Sequence, residues 1–368
     1  MSSTEVGGVA CPQCGAAIAS GDTFCEACGT PLVADAVAAV PVVFSSATLG
    51  SARVGPGGTG AAPDPCVSCG GVIDDDSFCS TCGQKARSER DHWIESPALW
   101  VGGICDKGIV HPGNEDAMAL AATPFGDRPD ARAVLVVCDG VTSAPHSDRA
   151  SIAAVRAACA ALVAAPPPAA DDPFPAQLGH WHRHLGVACA AANVEAVAVA
   201  RLLGDPPEPP SCTFVAAIVT QHLVSVAWCG DSRAYWIPDV GEGEELSTDH
   251  SIGTELMRAG ASRSVAEADP ACHTITRWLG ADSVDPTPEF VTRRLDDPGW
   301  VLLCSDGMWN YASTPTALRL LLAAAEAAGA GRPPGPTALA ESLAAWANDQ
   351  GGHDNITVAL ARHERQVP

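Results

Sequence analysis

Short, almost continuous apolar runs alternate along the chain with longer segments of helical periodicity. The apolar runs predict buried β-strands at residues 133–138, 212–237, 300–304 and 356–360. The second of these ranges contains three β-rich runs with short polar breaks, which predicts an antiparallel meander.

Apolar residues recur at a helical period in four further segments, which Pro-rich breaks separate. We predict helices at residues 148–163, 178–203, 316–328 and 337–348. Antiparallel strands combined with long separate helices favour an α+β fold over a doubly wound parallel sheet.

The first 84 residues have a different character, because they hold eight of the 16 cysteines as four Cys-x-x-Cys pairs. Each pair supplies two soft ligands from one tight turn, and four thiolates at tetrahedral positions suit Zn²⁺. Disulfides or a redox Cys-x-x-Cys would leave the repeated layout unexplained. The two quartets are Cys11, Cys14, Cys25 and Cys28, and then Cys66, Cys69, Cys79 and Cys82.

A module of about twenty residues cannot build its own core, so a structural metal ion must hold it together. We therefore predict two structural Zn²⁺ ions in two zinc ribbons at residues 9–31 and 65–84, joined by a flexible linker at 32–64. A joint at 85–98 then leads into a globular domain at 99–364. The modules resemble the double zinc ribbons of signalling proteins, which bind either nucleic acid or protein. Only Lys85, Arg87 and Arg90 cluster nearby, so we favour a protein-docking role.

The charge balance restricts the partners, since 43 acidic and 21 basic side chains give a net charge of −22. A surface this negative repels nucleic-acid backbones and anionic lipid, so we expect neither as a principal partner.

The apolar runs are shorter than the roughly 18–20 residues that a membrane span needs. The N-terminus has no signal-peptide pattern, and the later cysteines are single, so we expect a cytoplasmic protein.

Acidic residues stand at the ends of the predicted strands. A single strand-end Asp is usually a turn former, but several carboxylates at ~4 Å repel one another by ~4 kcal/mol at an effective dielectric near 20. Divalent cations reverse that repulsion, and an all-oxygen site suits Mg²⁺ or Mn²⁺ better than Zn²⁺. The four motifs are Asn114-Glu115-Asp116, Asp139-Gly140, Ser305-Asp306-Gly307 and Asp354-Asn355.

The order of these motifs resembles the PPM (type 2C) family of metal-dependent protein Ser/Thr phosphatases. The resemblance implies a four-layer α-β-β-α sandwich of two antiparallel sheets with a binuclear Mn²⁺ or Mg²⁺ centre at one end. It also implies hydrolysis of phosphoserine and phosphothreonine by attack of a metal-bound hydroxide on phosphorus. Seven segments within about residues 99–362 carry it: ICDKGIVHPGNEDA, VLVVCDG, CTFVAAIVT, WCGDSRAYWI, LSTDHS, WVLLCSDGMWN and GGHDNITVAL.

The same resemblance implies a role for each acidic residue around the first metal ion. Asp139 would bridge the two ions, and the carbonyl of Gly140 would bind one of them. Asp306 and Asp354 would complete the shell of the first ion.

The remaining acidic residues are assigned to the second ion and to a third, weaker one. By resemblance, Glu115 holds the second ion through water, and Asp116 orients that shell by hydrogen bonding. Asp231 matches a residue that helps Asp306 bind a third ion in bacterial relatives. Asn355 is interpreted as a structural residue that fixes the turn beside Asp354.

Three positions depart from the family pattern. His111 stands where many relatives have a phosphate-binding Arg, Thr142-Ser143 replaces a Gly-Gly, and Val141 replaces a His proposed as general acid in some eukaryotic members. We hypothesise that His111 or His146 contributes to phosphate contact or leaving-group protonation, the alternative being solvated loop histidines. The predicted catalytic residues are Asp139, Asp306, Asp354, Glu115, Asp116 and His111.

The sequence thus predicts a bacterial phosphoprotein phosphatase whose substrates are targets of Ser/Thr kinases. The segment at about 246–283 corresponds to a variable flap, whose arginines either select the substrate or lie on a solvated face. A catalytically inactive scaffold or sensor that docks through its ribbons is the first alternative. A nucleic-acid-binding protein with a regulatory domain is the second, and the net charge argues against it.

Overall fold

The computed structural model describes residues 9–10, 17–18, 65–66, 69–74, 76, 78–83, 86, 88–123, 132–169, 171–262, 265–266, 268–329 and 334–364. The first predicted cysteine quartet, Cys11, Cys14, Cys25 and Cys28, and the predicted linker lie outside the described residues.

The strands and helices of the described residues are as follows. The strands are β1 (Val9–Ala10), β2 (Ala17–Ile18), β3 (His92–Ala98), β4 (Val101–Asp106), β5 (Ala117–Ala122), β6 (Arg132–Cys138), β7 (Ser211–Cys212), β8 (Phe214–Thr220), β9 (Leu223–Cys229), β10 (Arg233–Pro238), β11 (Glu244–Glu245), β12 (Leu279–Gly280), β13 (Glu289–Arg294), β14 (Gly299–Cys304) and β15 (Ile356–His363). The helices are α1 (Ser147–Ala164), α2 (Phe174–Leu202), α3 (Ile252–Arg258), α4 (Asp306–Trp309), α5 (Pro315–Ala328) and α6 (Pro336–Asp349), with a 3-10 turn at Glu89–Asp91.

Two antiparallel sheets form the centre of the fold. One has six strands in the order β11-β10-β14-β15-β4-β3, and the other has five in the order β13-β9-β8-β6-β5. Strand β3 lies in the predicted joint at 85–98, so the six-stranded sheet begins on the N-terminal side of residue 99.

Three layers of apolar side chains hold the sheets and helices together. Leu135 and Val226 of one sheet and Leu303 of the other meet in a core between the two sheets. Helices α1 and α2 cover the outer face of the five-stranded sheet, and α5 and α6 cover that of the six-stranded sheet. The predicted four-layer α-β-β-α fold is therefore confirmed. Because central strands are buried on both faces, their sequences are continuous apolar runs rather than alternating ones.

The predicted meander at 212–237 is wrong in its third strand. Strands β8 and β9 pair with each other, but β10 pairs with β14 in the opposite sheet. The turn before β10 contains Gly230, which has a φ of +114° and approaches Thr213 so closely that a side chain would collide with it. This conformation, which glycine adopts readily, redirects the chain from one sheet to the other.

Helix α2 is long and apolar enough, by length and composition alone, to cross a membrane. Its Trp181, Leu185 and Ala192 are buried in the layer between α1 and the five-stranded sheet. Its other side carries Arg183 and Glu195, which are exposed. We therefore interpret α2 as a core helix of the domain.

Candidate metal centre

The registers of the two sheets bring the acidic motifs to one end of the sandwich. Ala117, the first residue of β5, pairs with Cys138, the last residue of β6, so Glu115 and Asp116 lie at the same end as Asp139. In the other sheet, β14 ends where β15 begins, which places Asp306 beside Asp354.

Strand β10 brings Asp231 to the same end of the sandwich. Its first residue, Arg233, pairs with Cys304, the last residue of β14. The indole Nε1 of Trp309 donates to the Asp231 carbonyl at 2.9 Å. The crossing between sheets that the sequence did not predict therefore brings Asp231 close to Asp306.

Carboxylates from the two sheets are close enough for their charges to raise one another's pKa values. Burial raises the pKa of Asp139 well above its ordinary value, and the charges of Asp116, Asp306 and Asp354 raise it further. Burial and the charge of Asp354 act in the same direction on the pKa of Asp306. Burial and the charge of Asp249 raise the pKa of Asp231 to about 7. Carrying several negative charges here is costly unless a cation is present.

Asp116 lies beneath this cluster and is 1% exposed. Its Oδ2 accepts hydrogen bonds from the hydroxyls of Ser305 at 2.6 Å and Thr357 at 2.7 Å. These bonds join the start of β5 to the end of β14 and to β15, so Asp116 ties the two sheets together below the carboxylates. Burial raises its pKa to about 6, although the two hydroxyls oppose the rise.

Asn355 connects the loop before Glu115 to the Asp354 turn. Its Oδ1 accepts from the N–H of Glu115 at 2.7 Å, and its Nδ2 donates to the carbonyls of Lys107 at 2.8 Å and Gly113 at 2.9 Å. The structural role expected for this side chain is thus visible as three hydrogen bonds, all of which position acidic residues from distant parts of the chain.

Two glycines permit the close backbone approach in this region. A side chain at Gly140 would lie 2.6 Å from the carbonyl oxygen of Glu115, and one at Gly307 would lie 2.0 Å from that of Asn355. Only glycine therefore lets the Asp-Gly turns after β6 and β14 pack against their neighbours.

The residues fit a hard divalent cation. Asp139, Asp306, Asp354, Asp231 and Glu115 are half-buried, so an ion from solvent can reach them. Two buried oxygens, Glu115 Oε2 and Asp116 Oδ1, have no hydrogen-bond partner among the described residues. Unpaired buried carboxylate oxygens beside further carboxylates match the preference of Mg²⁺ or Mn²⁺ for oxygen ligands, although the acidic groups are spaced more widely than the cysteines of the second quartet.

The second cysteine quartet forms a separate and more compact site. The Sγ atoms of Cys66, Cys69, Cys79 and Cys82 lie within 4.8 Å of one another, and no other such group of three or more ligand atoms occurs in the described part of the chain. The backbone N–H groups of Cys82 and Thr81 lower the pKa of the Cys79 thiol to about 6. For Cys69 the Gly71 backbone acts in the same direction, but the neighbouring thiols outweigh it and raise the pKa to about 12. This arrangement suits Zn²⁺.

The two histidines singled out in the sequence occupy different environments. His111 has a side chain that is 11% exposed, and its Nε2 lies 3.8 Å from Glu115 Oε2. His146 is exposed before α1 with a φ of +65° and makes no capping hydrogen bond. The structure therefore brings His111, and not His146, into contact with the acidic residues.

A pocket of about 580 Å³ lies between the flap segment and α4, and two of its lining residues, Asn310 and Trp309, hydrogen-bond to Asp306 and Asp231. Arg233 lines this pocket and donates two hydrogen bonds to the Asp249 carboxylate, at 2.9 and 2.6 Å. Its guanidinium carbon lies 3.8 Å from the ring centre of Trp309. Two flap arginines are engaged elsewhere, Arg258 with Glu289 and Arg277 with Asp285. The described ion pairs thus favour a structural role for these two.

Sequence reasoning missed several polar residues that build this end of the sandwich. Ser305 and Thr357 support Asp116, and Thr213 accepts the Asp139 N–H at 2.9 Å through its hydroxyl. The one available signal was a hydroxyl residue within or beside an otherwise apolar strand. A buried hydroxyl of this kind needs a partner, although its identity cannot be read from the local sequence.

Similar proteins agree with this architecture. Residues 113–346 match the family model described as Protein phosphatase 2C, and residues 11–87 match the one described as Double zinc ribbon. Protein phosphatase PhpP of Streptococcus pneumoniae is 35% identical over 150 residues, which are 40% of this chain and 55% of that protein. Serine/threonine phosphatase stp of Listeria monocytogenes is 32% identical over 153 residues, or 41% and 56% of the two chains. The chain thus spans about half the length of these curated relatives.

Solved structures share the fold. The crystal structures of a bacterial serine phosphatase and of the serine/threonine phosphatase Stp1 from Staphylococcus aureus each give a TM-score of 0.56 at 24% identity. The matches cover 73% and 76% of this chain and 99% of each of those chains. Since the matching family model also covers more than half of the sequence, this chain belongs to the protein phosphatase 2C family.

Proposed function

We propose that the chain is a metal-dependent protein phosphatase that hydrolyses phosphoserine and phosphothreonine in proteins. The observation that carries the proposal is the meeting of acidic residues from both sheets at one solvent-accessible end of the sandwich. The named relatives are protein phosphatases, which supports the same activity for this chain.

The proposed metal-binding groups are the carboxylates of Asp139, Asp306 and Asp354, the Gly140 carbonyl and, for a second ion, Glu115. Divalent ions bound there would neutralise the phosphoryl oxygens and lower the pKa of a water molecule. Asp231 adds a carboxylate beside Asp306, which supports a third and weaker ion.

The residues beneath and beside the centre keep these groups in position. Asp116 receives two hydroxyl hydrogen bonds and thereby fixes the distance between the sheets. Asn355 holds the backbone of Glu115 next to the Asp354 turn. Rigid positioning of this kind matters in phosphoryl transfer, since catalysis there rests mainly on placement and charge.

The pocket near the centre supports a substrate that extends beyond the phosphate, such as a peptide. Its volume of about 580 Å³ accommodates side chains on one side of the phosphorylated residue. Arg233, Asp249 and Thr248 supply polar groups along its wall. The expected substrates are proteins that Ser/Thr kinases phosphorylate.

The compact cysteine quartet supports a zinc ribbon that docks the enzyme onto another protein. Val72 and Phe78 of this module are 70% and 45% exposed, which offers apolar surface for such a contact. Cys105, Cys138 and Cys304 are buried free thiols, which supports a reducing compartment such as the cytoplasm.

Hydrolysis assays on the full chain test the activity. We expect turnover of p-nitrophenyl phosphate and of a phosphothreonine peptide only with Mn²⁺ or Mg²⁺. Asp139→Asn should lower the turnover rate by at least roughly 10–100-fold, because loss of an outer-shell partner of a metal ligand already has an effect of that size. Glu208→Gln, in an exposed loop, is the matched control and should retain full turnover. Absence of turnover in the unaltered chain would favour the scaffold alternative, whereas turnover without a divalent ion would refute the metal-dependent mechanism.

A further inference from the structure

The side chain of His111 is held in a single tautomer. Its Nδ1 lies 2.7 Å from the carbonyl oxygen of Gly113, which can only accept a hydrogen bond. Nδ1 therefore carries the proton of the neutral ring, and Nε2 carries the lone pair. The ammonium group of Lys107 donates to the His111 carbonyl at 3.0 Å and holds the backbone of the same loop.

The lone pair on Nε2 is directed toward the acidic cluster. Nε2 lies 3.8 Å from Glu115 Oε2, which is longer than a hydrogen bond. That oxygen is buried and has no hydrogen-bond partner among the described residues. A shared ion requires Glu115 Oε2 to bind directly and not through water as the family resemblance implies. Two such ligand atoms with bonds of about 2.1 Å lie roughly 3 Å apart when adjacent and about 4.2 Å apart when opposite. The observed separation falls within this range.

We propose that His111 Nε2 binds the same metal ion as Glu115. This nitrogen ligand makes the centre favour Mn²⁺ over Mg²⁺. The inference rests on the proposed function in so far as both require a metal ion at this end of the sandwich. Imidazole nitrogen binds first-row transition metals well, whereas Mg²⁺ prefers oxygen. A ligating His whose other ring nitrogen donates to a backbone carbonyl is the usual arrangement at protein metal sites.

This role differs from a contact between His111 and the substrate phosphate. A phosphate contact requires a donor, whereas the lone pair on the neutral ring is an acceptor. Glu115 Oε2 beside Nε2 is likewise an acceptor as a carboxylate oxygen, so neither atom offers a hydrogen bond to a phosphate oxygen. A cation satisfies both groups at once.

Pulsed electron paramagnetic resonance on the Mn²⁺-loaded full chain tests the assignment without reference to turnover. We expect a ¹⁴N coupling from a directly bound imidazole in the unaltered protein and its loss in His111→Gln. His353→Gln, which removes the exposed histidine beside Asp354, is the matched control and should keep the coupling. Asp139→Asn should abolish Mn²⁺ binding at the centre while the ribbons retain Zn²⁺.

Metal affinity supplies the second measurement. We expect His111→Gln to weaken Mn²⁺ binding roughly tenfold or more and Mg²⁺ binding less than about twofold. Bound Mn²⁺ without nitrogen coupling in the unaltered chain, or coupling that persists in His111→Gln, would overturn the ligand role alone. Failure of Mn²⁺ to bind at all would overturn the metal centre and the proposed function with it. A raised KM with unchanged Mn²⁺ affinity would assign His111 to the phosphate instead.

Discussion

Asp116 offers a direct test of how the acidic cluster affects stability. It is 1% exposed, and burial raises its pKa from 3.8 to about 6. Replacing it by Asn keeps the shape and an oxygen that accepts from Ser305 and Thr357, but removes the charge. We therefore expect Asp116→Asn to stabilise the protein at alkaline pH when Mg²⁺ and Mn²⁺ have been removed.

The size of the effect follows from proton linkage. A carboxyl whose folded-state pKa is raised contributes stability that is complete below its unfolded value and is lost as the pH rises through the folded value. A rise from 3.8 to about 6 corresponds to ~3 kcal/mol. The variant and the unaltered protein should thus be similar near about pH 3, and the variant should be about 3 kcal/mol more stable at pH 8.

Urea unfolding followed by tryptophan fluorescence measures this difference. All nine tryptophans lie between residues 93 and 346, so the signal reports on the phosphatase domain and not on the ribbons. Desalting removes weakly bound Mn²⁺ or Mg²⁺ while the thiolates retain Zn²⁺. Glu208→Gln controls for loss of a charge at an exposed site. A variant less stable than the unaltered protein at pH 8, or a difference independent of pH, would refute the electrostatic reasoning.

Three further predictions concern the neighbouring groups. Arg233→Met should lower the free energy of unfolding by about 3 kcal/mol, because it leaves the Asp249 carboxylate without its partner. The double variant with Asp249→Leu should recover part of this loss, and urea unfolding measures both. Cys79→Ser should reduce the zinc content by one ion per chain in elemental analysis, whereas Cys159→Ser, outside the quartet, should leave it unchanged. Asn355→Ala should raise the Mn²⁺ concentration for half-maximal turnover by roughly 10–100-fold, because three hydrogen bonds that position the ligands are lost; an unchanged value would show that those bonds do not matter for metal binding.

Several strands and helices were predictable because burial of one face or both faces produces a regular pattern of apolar residues in the sequence. The apolar runs that become β6 and β14 are buried on both faces, and the periodic segments become α1, α2, α5 and α6. Strand β3 was missed because its burial is mixed and it contains a proline, both of which weaken the pattern.

The candidate site was predictable in its members but not in its connections. Acidic residues at strand ends and the family order of motifs pointed to Asp139, Asp306 and Asp354. The hydrogen bonds from Ser305 and Thr357 to Asp116 span about two hundred residues and have no local signature. The tautomer of His111 likewise depends on where the Gly113 carbonyl lies.

The sequence by itself determined the central strands β6, β8, β9, β14 and β15 and the four long helices. It also determined which residues offer oxygen or sulfur to a metal and which family the chain resembles. Only the tertiary structure decided that β10 pairs with β14 and so carries Asp231 to Asp306. The physical reason is that periodicity records whether a residue is buried, whereas the choice of strand partner depends on long-range packing and register. A strand buried on both faces has the same apolar sequence in either sheet.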